Sequence, residues 1–213
     1  MATIKLEDAM KLASADEFWA IRGKAIQAYA SLEQSAAGLF SVLAGTDAKA
    51  ASIIFFRISS ADSRNKIMEK LFQKKFGEQY NLFRNSLFKQ LGTVDRERNE
   101  IVHWNVVNHV SADVDGNTAS ILMLVPPANW FPDSNSPKKS SVDMVAFSKK
   151  CVFYTRLINC FTFTTGNIGG VPQEALKEWE PMFNEPIAYP PPVGHLLHDQ
   201  FEAEIGPHHF TLG

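Results

Sequence analysis

The chain has 213 residues, of which 45% are hydrophobic and 21% charged, a balance that supplies one sizeable core and too little for two comfortable domains. The formal net charge of -2 and the pI near 6.3 exclude a protein that relies on overall basicity for nucleic-acid affinity, so any RNA contact must come from a local patch. A polar N-terminal sequence and the lack of an apolar run near ~18 residues predict a soluble, cytoplasmic protein that does not enter a membrane.

The first predicted element is a helix that is capped by Ser14 or Asp16 and ends at about Ala44. Its apolar residues recur at alternating spacings of three and four, which places them on one buried stripe: Phe18, Ile21, Ala25, Ala28, Leu32, Leu39 and Val42. The turn Gly45–Asp47 separates this helix from a second one predicted over about 48–76. Two long helices joined by a short turn are the usual start of a helical bundle.

A third helix is predicted over about 78–91, and Thr93 is the predicted N-cap of a fourth helix over about 94–104. Gly92 lies between these two segments. The sequence leaves open whether this glycine kinks one long helix or separates two.

Past Trp104 the apolar pattern changes from a helical period to alternation. The region of about 105–125 therefore predicts a β-hairpin, with Asp115–Gly116 as its turn. Residues 126–141 are rich in proline, serine and lysine and predict an exposed loop. A last long helix is predicted over about 142–165, and its many aromatic residues favour a central place in the core.

The predicted fold is therefore all-α: an up-and-down bundle of about five helices with a β-hairpin insertion and a long irregular C-terminal tail. Residues 1–170 are predicted to form the helical domain, which includes the hairpin and the exposed loop. Residues 171–213 form a Pro-rich C-terminal extension in which one short helix is predicted, over about 173–180.

The stretch Arg98-Asn99-Glu100-Ile101-Val102-His103 contains the side chains that carry the predicted chemistry. In a helix Asn99 and His103 lie one turn apart on the same face, and Arg98 lies roughly 140° around from His103. If the fourth helix begins at about residue 94, the stretch lies near a helix N-terminus, where anions bind favourably. Histidine is a general acid or base near neutral pH, and arginine stabilises the charge that develops on phosphorus during RNA cleavage. One copy supplies one histidine, so a complete acid–base pair predicts a symmetric homodimer.

An arginine, an asparagine, three intervening residues and a histidine in a helical bundle resemble the HEPN superfamily at Arg98, Asn99 and His103. The resemblance implies metal-independent endoribonuclease activity at a dimer-interface cleft, with products that end in a cyclic phosphate and with no cofactor. It also implies toxin, phage-defence or RNA-processing biology, in which an antitoxin or other regulatory protein is a further partner. The members that pair with a nucleotidyltransferase antitoxin often carry tyrosine two residues after the histidine. Asn105 stands there, so nucleotidylation at that position is not expected.

We predict that His103 is the general acid/base, that Arg98 stabilises the phosphate and the transition state, and that Asn99 orients the histidine or the phosphate. Arg84, Lys89 and Arg96 are predicted to bind RNA as a basic strip that leads to this site, although a solvated helix face has the same composition.

Arg64-Asn65 on the second helix repeats the arginine–asparagine pair without a following histidine. It could line the same cleft, but capping and surface roles are the ordinary ones for such residues.

Two alternatives remain open at this point. Arg98 could pair with Asp95 or Glu97 on the surface while His103 packs at a helix end. The protein would then be a non-catalytic helical module that binds RNA, a nucleotide or another protein, or the regulatory partner of a toxin or defence enzyme.

Four histidines in the C-terminal extension, His195, His198, His208 and His209, have spacings that can hold zinc. No carboxylate or cysteine pattern completes a recognisable site in this Pro-rich stretch. We therefore predict neither a metal nor a cofactor.

Overall fold

The computed structural model describes residues 14–112, 118–127, 137–166 and 168–203. Seven helices and two strands occur in these residues: α1 Ala15–Ala44, α2 Ala48–Arg57, α3 Ala61–Phe76, α4 Asn81–His103, β1 Asn105–Ala112, β2 Thr118–Val125, α5 Ser141–Gly166, α6 Gln173–Trp179 and α7 His198–Ala203. A short 3-10 helix, Glu180–Asn184, directly follows α6. The prediction of a mostly helical fold with one β-hairpin insertion is confirmed.

The chain divides into two compact units. The first unit combines residues 1–28 with 96–148, and the second combines 29–95 with 149–213. The helices α1, α4 and α5 each contribute a segment to both units. The predicted boundary between a helical domain, residues 1–170, and a C-terminal extension, residues 171–213, stays a prediction.

The start of α1 is fixed by a reciprocal capping interaction. The backbone N–H of Ser14 donates to Glu17 Oε2 at 2.7 Å, and the N–H of Glu17 donates to Ser14 Oγ at 3.3 Å. This capping box satisfies N–H groups that have no partner inside the helix. Of the two predicted caps, Ser14 is the one used.

The single helix predicted over 48–76 is two helices, and that prediction was wrong. The carboxylate of Asp47 caps α2 by accepting from the N–H groups of Lys49 and Ala50, both at 3.0 Å. A second cap follows at Ser60, whose hydroxyl accepts from the N–H of Ser63 at 3.3 Å and begins α3. Serine side chains compete with the helical backbone for hydrogen bonds in this way, and apolar periodicity does not report that competition.

Gly92 neither ends nor separates a helix. It lies inside the continuous 23-residue helix α4, and the hydroxyl of Thr93, the predicted cap, donates instead to the carbonyl of Lys89 at 3.3 Å. Of the two arrangements that the sequence left open, a single helix is the one observed, and the predicted helix start at 94 with Thr93 as its cap was wrong. As a consequence, His103 is the last residue of a long helix.

We expect Gly92→Ala to raise the free energy of unfolding by about 0.5–1 kcal/mol, because alanine loses less backbone entropy in a helix and a Cβ at position 92 has no atom of another element within 4 Å. Urea unfolding followed by circular dichroism measures this. The matched control is Gly166→Ala, whose Cβ would lie 2.8 Å from Val42 Cγ2 and is expected to destabilise. Equal effects of the two substitutions would contradict this account.

The predicted hairpin is present as β1 and β2, which pair antiparallel from Asn105 opposite Val125 to Ala112 opposite Thr118. The predicted turn at Asp115–Gly116 lies outside the described residues, as does most of the predicted loop. Lys139, near the end of that loop, extends the sheet by a bridge to Leu124, with N···O distances of 2.8 and 2.9 Å.

The second unit has an aromatic core centred on Phe161 of α5, which is fully buried. Five rings have centroids 5.0 to 5.6 Å from its own: Phe72, Phe76, Tyr80, Phe83 and Phe183. This agrees with the expectation that the aromatic residues of the last long helix serve the core.

No single helix in the described ranges is long and apolar enough to cross a membrane. The helices α1 and α2 pass that test of length and composition only together, as a pair bent by 115°.

Candidate functional site

The candidate stretch occupies the last turns of α4, in the first unit. The side chains of Asn99 and His103 are exposed, and Arg98 is half-buried. The guanidinium of Arg98 donates from Nη1 to Asn99 Oδ1 at 3.0 Å. The amide of Asn99 therefore holds the arginine, and the exposed imidazole lies one turn further along the helix.

The helix end at which these residues lie is opposite to the predicted one. The stretch was expected near a helix N-terminus, and that was wrong, because α4 is uninterrupted and ends at His103. A C-terminal helix end exposes carbonyl oxygens and carries partial negative charge, which favours cations and disfavours anions. Binding of a phosphate at this site must therefore come from side chains and cannot use helix N–H groups.

Arg22 of α1 caps this helix end. Its guanidinium donates from Nε to the carbonyl of Ile101 at 2.9 Å, and from Nη2 to those of Val102 at 3.0 Å and Trp104 at 3.3 Å. The Arg22 guanidinium also lies 5.4 Å from the centroid of the Trp19 ring. Burial lowers the pKa of Arg22 below its ordinary value. The planar fork of arginine thus satisfies carbonyls that the helix leaves open.

The role of Arg22 could not be predicted from its sequence position. It is a single basic residue near the apolar stripe of α1, and some 80 residues of chain separate it from the carbonyls that it caps. Only a fold that brings these segments together identifies it as the residue that holds the candidate helix end.

We expect Arg22→Ala to lower the free energy of unfolding by about 1–3 kcal/mol, because partly buried carbonyls lose charge-assisted hydrogen bonds. Arg22→Lys keeps the charge but replaces the fork with a single ammonium, so its loss should be intermediate. Chemical denaturation of the three proteins measures the order. Equal stability of parent and Arg22→Ala would show that water caps the helix end as well as the guanidinium does.

Lys139 covers another side of the same helix end. Its ammonium lies 2.9 Å from Glu100 Oε2 and 5.9 Å from the centroid of the Trp104 ring. The carboxylate of Glu100, which stands between Asn99 and His103 in the sequence, is thus paired with a cation. The sequence placed Lys139 in an exposed loop and gave no sign of this pair.

The three predicted RNA-binding residues have different surroundings. Arg84, in the second unit, is buried, and its guanidinium donates to Asn85 Oδ1 at 3.2 Å and to the carbonyl of Gly77 at 3.3 Å. Lys89 in the second unit and Arg96 in the first unit are exposed. The placement of Arg84 favours a role in holding the turn after α3, and RNA binding by these residues stays a prediction.

Arg64 and Asn65 belong to a partly buried polar network of the second unit. Asp95 Oδ2 accepts from Asn65 Nδ2 at 2.8 Å, Asp95 Oδ1 accepts from the Tyr29 hydroxyl at 2.6 Å, and Arg64 pairs with Glu33. Burial raises the pKa of Asp95, although both hydrogen bonds act in the opposite direction, and burial with the bond to Asp95 raises the pKa of Tyr29. The adjoining cavity of about 20 Å³ has room for one water molecule.

The two described histidines of the C-terminal segment, His195 and His198, form hydrogen bonds with backbone groups of that segment. The N–H of Leu197 donates to His195 Nδ1 at 3.1 Å, and His198 Nδ1 lies 3.0 Å from the carbonyl of Pro191. Burial and the neighbouring His198 lower the pKa of His195. Within the described ranges, His, Cys, Asp and Glu side chains form no group of three or more that could hold a metal ion. His208 and His209 lie outside those ranges.

Comparisons with protein-family models, with curated protein sequences and with solved structures find no match to this chain.

Proposed function

We propose that this protein is a metal-independent endoribonuclease of HEPN type that acts in the cytoplasm as a homodimer, in toxin, phage-defence or RNA-processing biology. The observation that carries the proposal is the exposed imidazole of His103 beside the bonded pair of Arg98 and Asn99, all on one helix end. These groups supply an acid–base catalyst and a cation for the phosphate.

In the proposed reaction, the RNA 2′-oxygen attacks the adjacent phosphorus and the bond from phosphorus to the 5′-oxygen breaks. His103 of one copy accepts the proton of the 2′-hydroxyl, and the protonated His103 of the second copy donates a proton to the leaving 5′-oxygen. Arg98 stabilises the charge that develops on the phosphoryl oxygens. The products are a 2′,3′-cyclic phosphate and a 5′-hydroxyl.

The surroundings of the helix end support this assignment by fixing the groups in place. Arg22 donates to the carbonyls of Ile101 and Val102 in α4 and to that of Trp104 after it, so the backbone on both sides of His103 is held by hydrogen bonds. Lys139 neutralises Glu100, which removes a negative charge that would repel RNA. Catalytic groups need such preorganisation, because small displacements cost large factors in rate.

The second candidate is a helical module that binds RNA, a nucleotide or a partner protein without cleaving it. It is favoured by the position of the stretch at a helix C-terminus, where backbone dipoles disfavour phosphate. The hydrogen bond from Arg98 to Asn99 favours it as well. A catalytic arginine would have to donate to the substrate in addition to Asn99, or give up the bond to Asn99.

The experiment that separates the two candidates measures binding and cleavage on the same RNA. The purified protein is incubated with mixed single-stranded and transfer RNA in EDTA, and complex formation is followed beside the loss of intact RNA. Cleavage supports the nuclease, and stable binding without cleavage supports the module. A regulatory partner of a toxin or defence enzyme is recognised instead by co-purification of a stable complex with that enzyme.

A further inference from the structure

A pocket of about 280 Å³ lies in the second unit, at the ends of α3 and α5 and beside α6. Phe76, Tyr80 and Leu176 form its apolar wall, and hydroxyl, amide and charged side chains form the rest. The volume is just below the range of about 300–1,000 Å³ that is usual for ligand sites, so it suits a metabolite of amino-acid size.

Phe76 and Tyr80 form a rigid aromatic corner of the pocket. The rings of Phe76 and Tyr80 meet at 74° with their centroids 5.7 Å apart. Each also packs against Phe161, at 5.6 and 5.4 Å, and that residue is fully buried. Two fixed ring systems that meet at a corner can cover alkyl groups and attract a cation to their faces.

The backbone of Tyr80 is held in an unfavourable conformation. Its φ of 62° is the only positive value at a non-glycine residue in the described part of the chain. Such a conformation is uncommon at residues other than glycine and is found preferentially at ligand clamps and active sites. At Tyr80 it belongs to the residue that supplies half of the aromatic corner.

Two threonine hydroxyls in the pocket wall, those of Thr164 and Thr165, present acceptors. Thr164 Oγ1 donates its proton to the carbonyl of Cys160 at 2.8 Å, and Thr165 Oγ1 donates to that of Phe161 at 2.8 Å. Both oxygens keep lone pairs that can accept a hydrogen bond from a ligand. The C-terminal ends of α3 and α5 add partial negative charge, so this wall favours a donor of the ammonium type.

The phenol of Tyr80 lies among polar groups of the same pocket. Burial, together with the charge of Glu180, raises the pKa of Tyr80, although a hydrogen bond with Gln79 acts in the opposite direction. The hydroxyl therefore stays neutral at physiological pH. The carboxylate of Glu180 lines the same pocket and supplies a negative charge near Tyr80.

The rim of the pocket carries two opposite charges. Lys177 and Glu180 are both exposed, and neither takes part in a salt bridge in the part of the chain that is described. Each charge is therefore open to a ligand. A ligand that uses both must carry a positive and a negative group.

We propose that this pocket binds a free α-amino acid with an apolar side chain, in its zwitterionic form. The ammonium group lies at the aromatic corner and Glu180, the carboxylate meets Lys177, and the side chain packs on Leu176. This binding is separate from the proposed RNA cleavage and does not depend on it.

The test is isothermal titration of the full chain with L-leucine and with two analogues that each lack one charged group. 3-Methylbutylamine lacks the carboxylate and 4-methylpentanoate lacks the ammonium. We expect L-leucine to bind at millimolar concentration or below, and each analogue to bind about tenfold more weakly or worse. Glu180→Gln and Lys177→Met should each weaken leucine binding by a similar factor.

Two substitutions that change the same charges outside the pocket, Glu178→Gln and Lys70→Met, serve as controls and should leave binding unchanged. The unfolding temperature of every variant without ligand establishes that it is folded. Three results would overturn the proposal. The first is no binding of L-leucine, L-methionine or L-phenylalanine up to about 10 mM. The others are an affinity for 3-methylbutylamine equal to that for L-leucine, or a loss of leucine binding in the control variants equal to that in the pocket variants.

Discussion

Replacement of His103 with alanine is expected to lower the rate of RNA cleavage by about 10²–10⁴-fold, which is the usual contribution of a positioned acid–base catalyst. His103 is exposed at the end of α4, so its loss leaves no cavity, and the fold should remain. The rate is measured under single-turnover conditions in EDTA, with the unfolding temperature as a check on folding.

His109 supplies the matched control for this substitution. It lies in β1 of the same unit, is partly exposed and has no assigned role in the reaction. His109→Ala should cleave RNA at nearly the parent rate. If the two alanine variants lose activity equally, or if His103→Ala keeps it while folded, the assignment of His103 is wrong.

Replacement of Phe161 with alanine is expected to lower the free energy of unfolding by about 3–5 kcal/mol, the range found for large aromatic residues removed from a core. The ring stacks on Phe72 at 5.1 Å and on Phe83 at 5.0 Å, and three further rings meet its edges and faces. Its removal loses these contacts and leaves a cavity that rigid neighbours cannot fill.

Denaturant unfolding of Phe161→Ala and Phe56→Ala tests this point. Phe56 has 47% of its surface exposed, so its removal from the second unit should cost far less. A loss for Phe161→Ala that is no larger than that for Phe56→Ala would mean that the aromatic core does not stabilise this unit.

The parts of the fold that were predicted from sequence are those set by local signals. The Ser14 cap of α1 and the change to alternation after Trp104 act through neighbours in the chain, and the density of aromatic residues in α5 marks it in the sequence as a core helix. For that reason the helix α1, the hairpin and α5 have nearly the predicted bounds.

The errors have two physical sources. At Ser60 a side-chain cap begins a new helix although the apolar period continues across it. At Gly92 the reverse holds, because packing of the flanking apolar residues keeps α4 helical across a weak helix former. The second error reversed the helix end on which the candidate site was placed.

The candidate residues could be predicted, but the residues that hold them could not. Arg98, Asn99 and His103 stand within six positions of one another, and residue type and helical spacing suffice to nominate them. Arg22 and Lys139 meet the helix end only after folding, from distant parts of the chain. No local pattern reports such contacts.

The chemistry of the RNA ends is the most direct measurement of whether these residues form a metal-independent ribonuclease. One defined RNA is treated with the purified protein in EDTA, and the termini of the fragments are identified by mass spectrometry. The account predicts 2′,3′-cyclic phosphate and 5′-hydroxyl ends, because the 2′-oxygen is the nucleophile and no water enters the first step. Fragments with 3′-hydroxyl and 5′-phosphate ends, or RNA that stays intact, would contradict it.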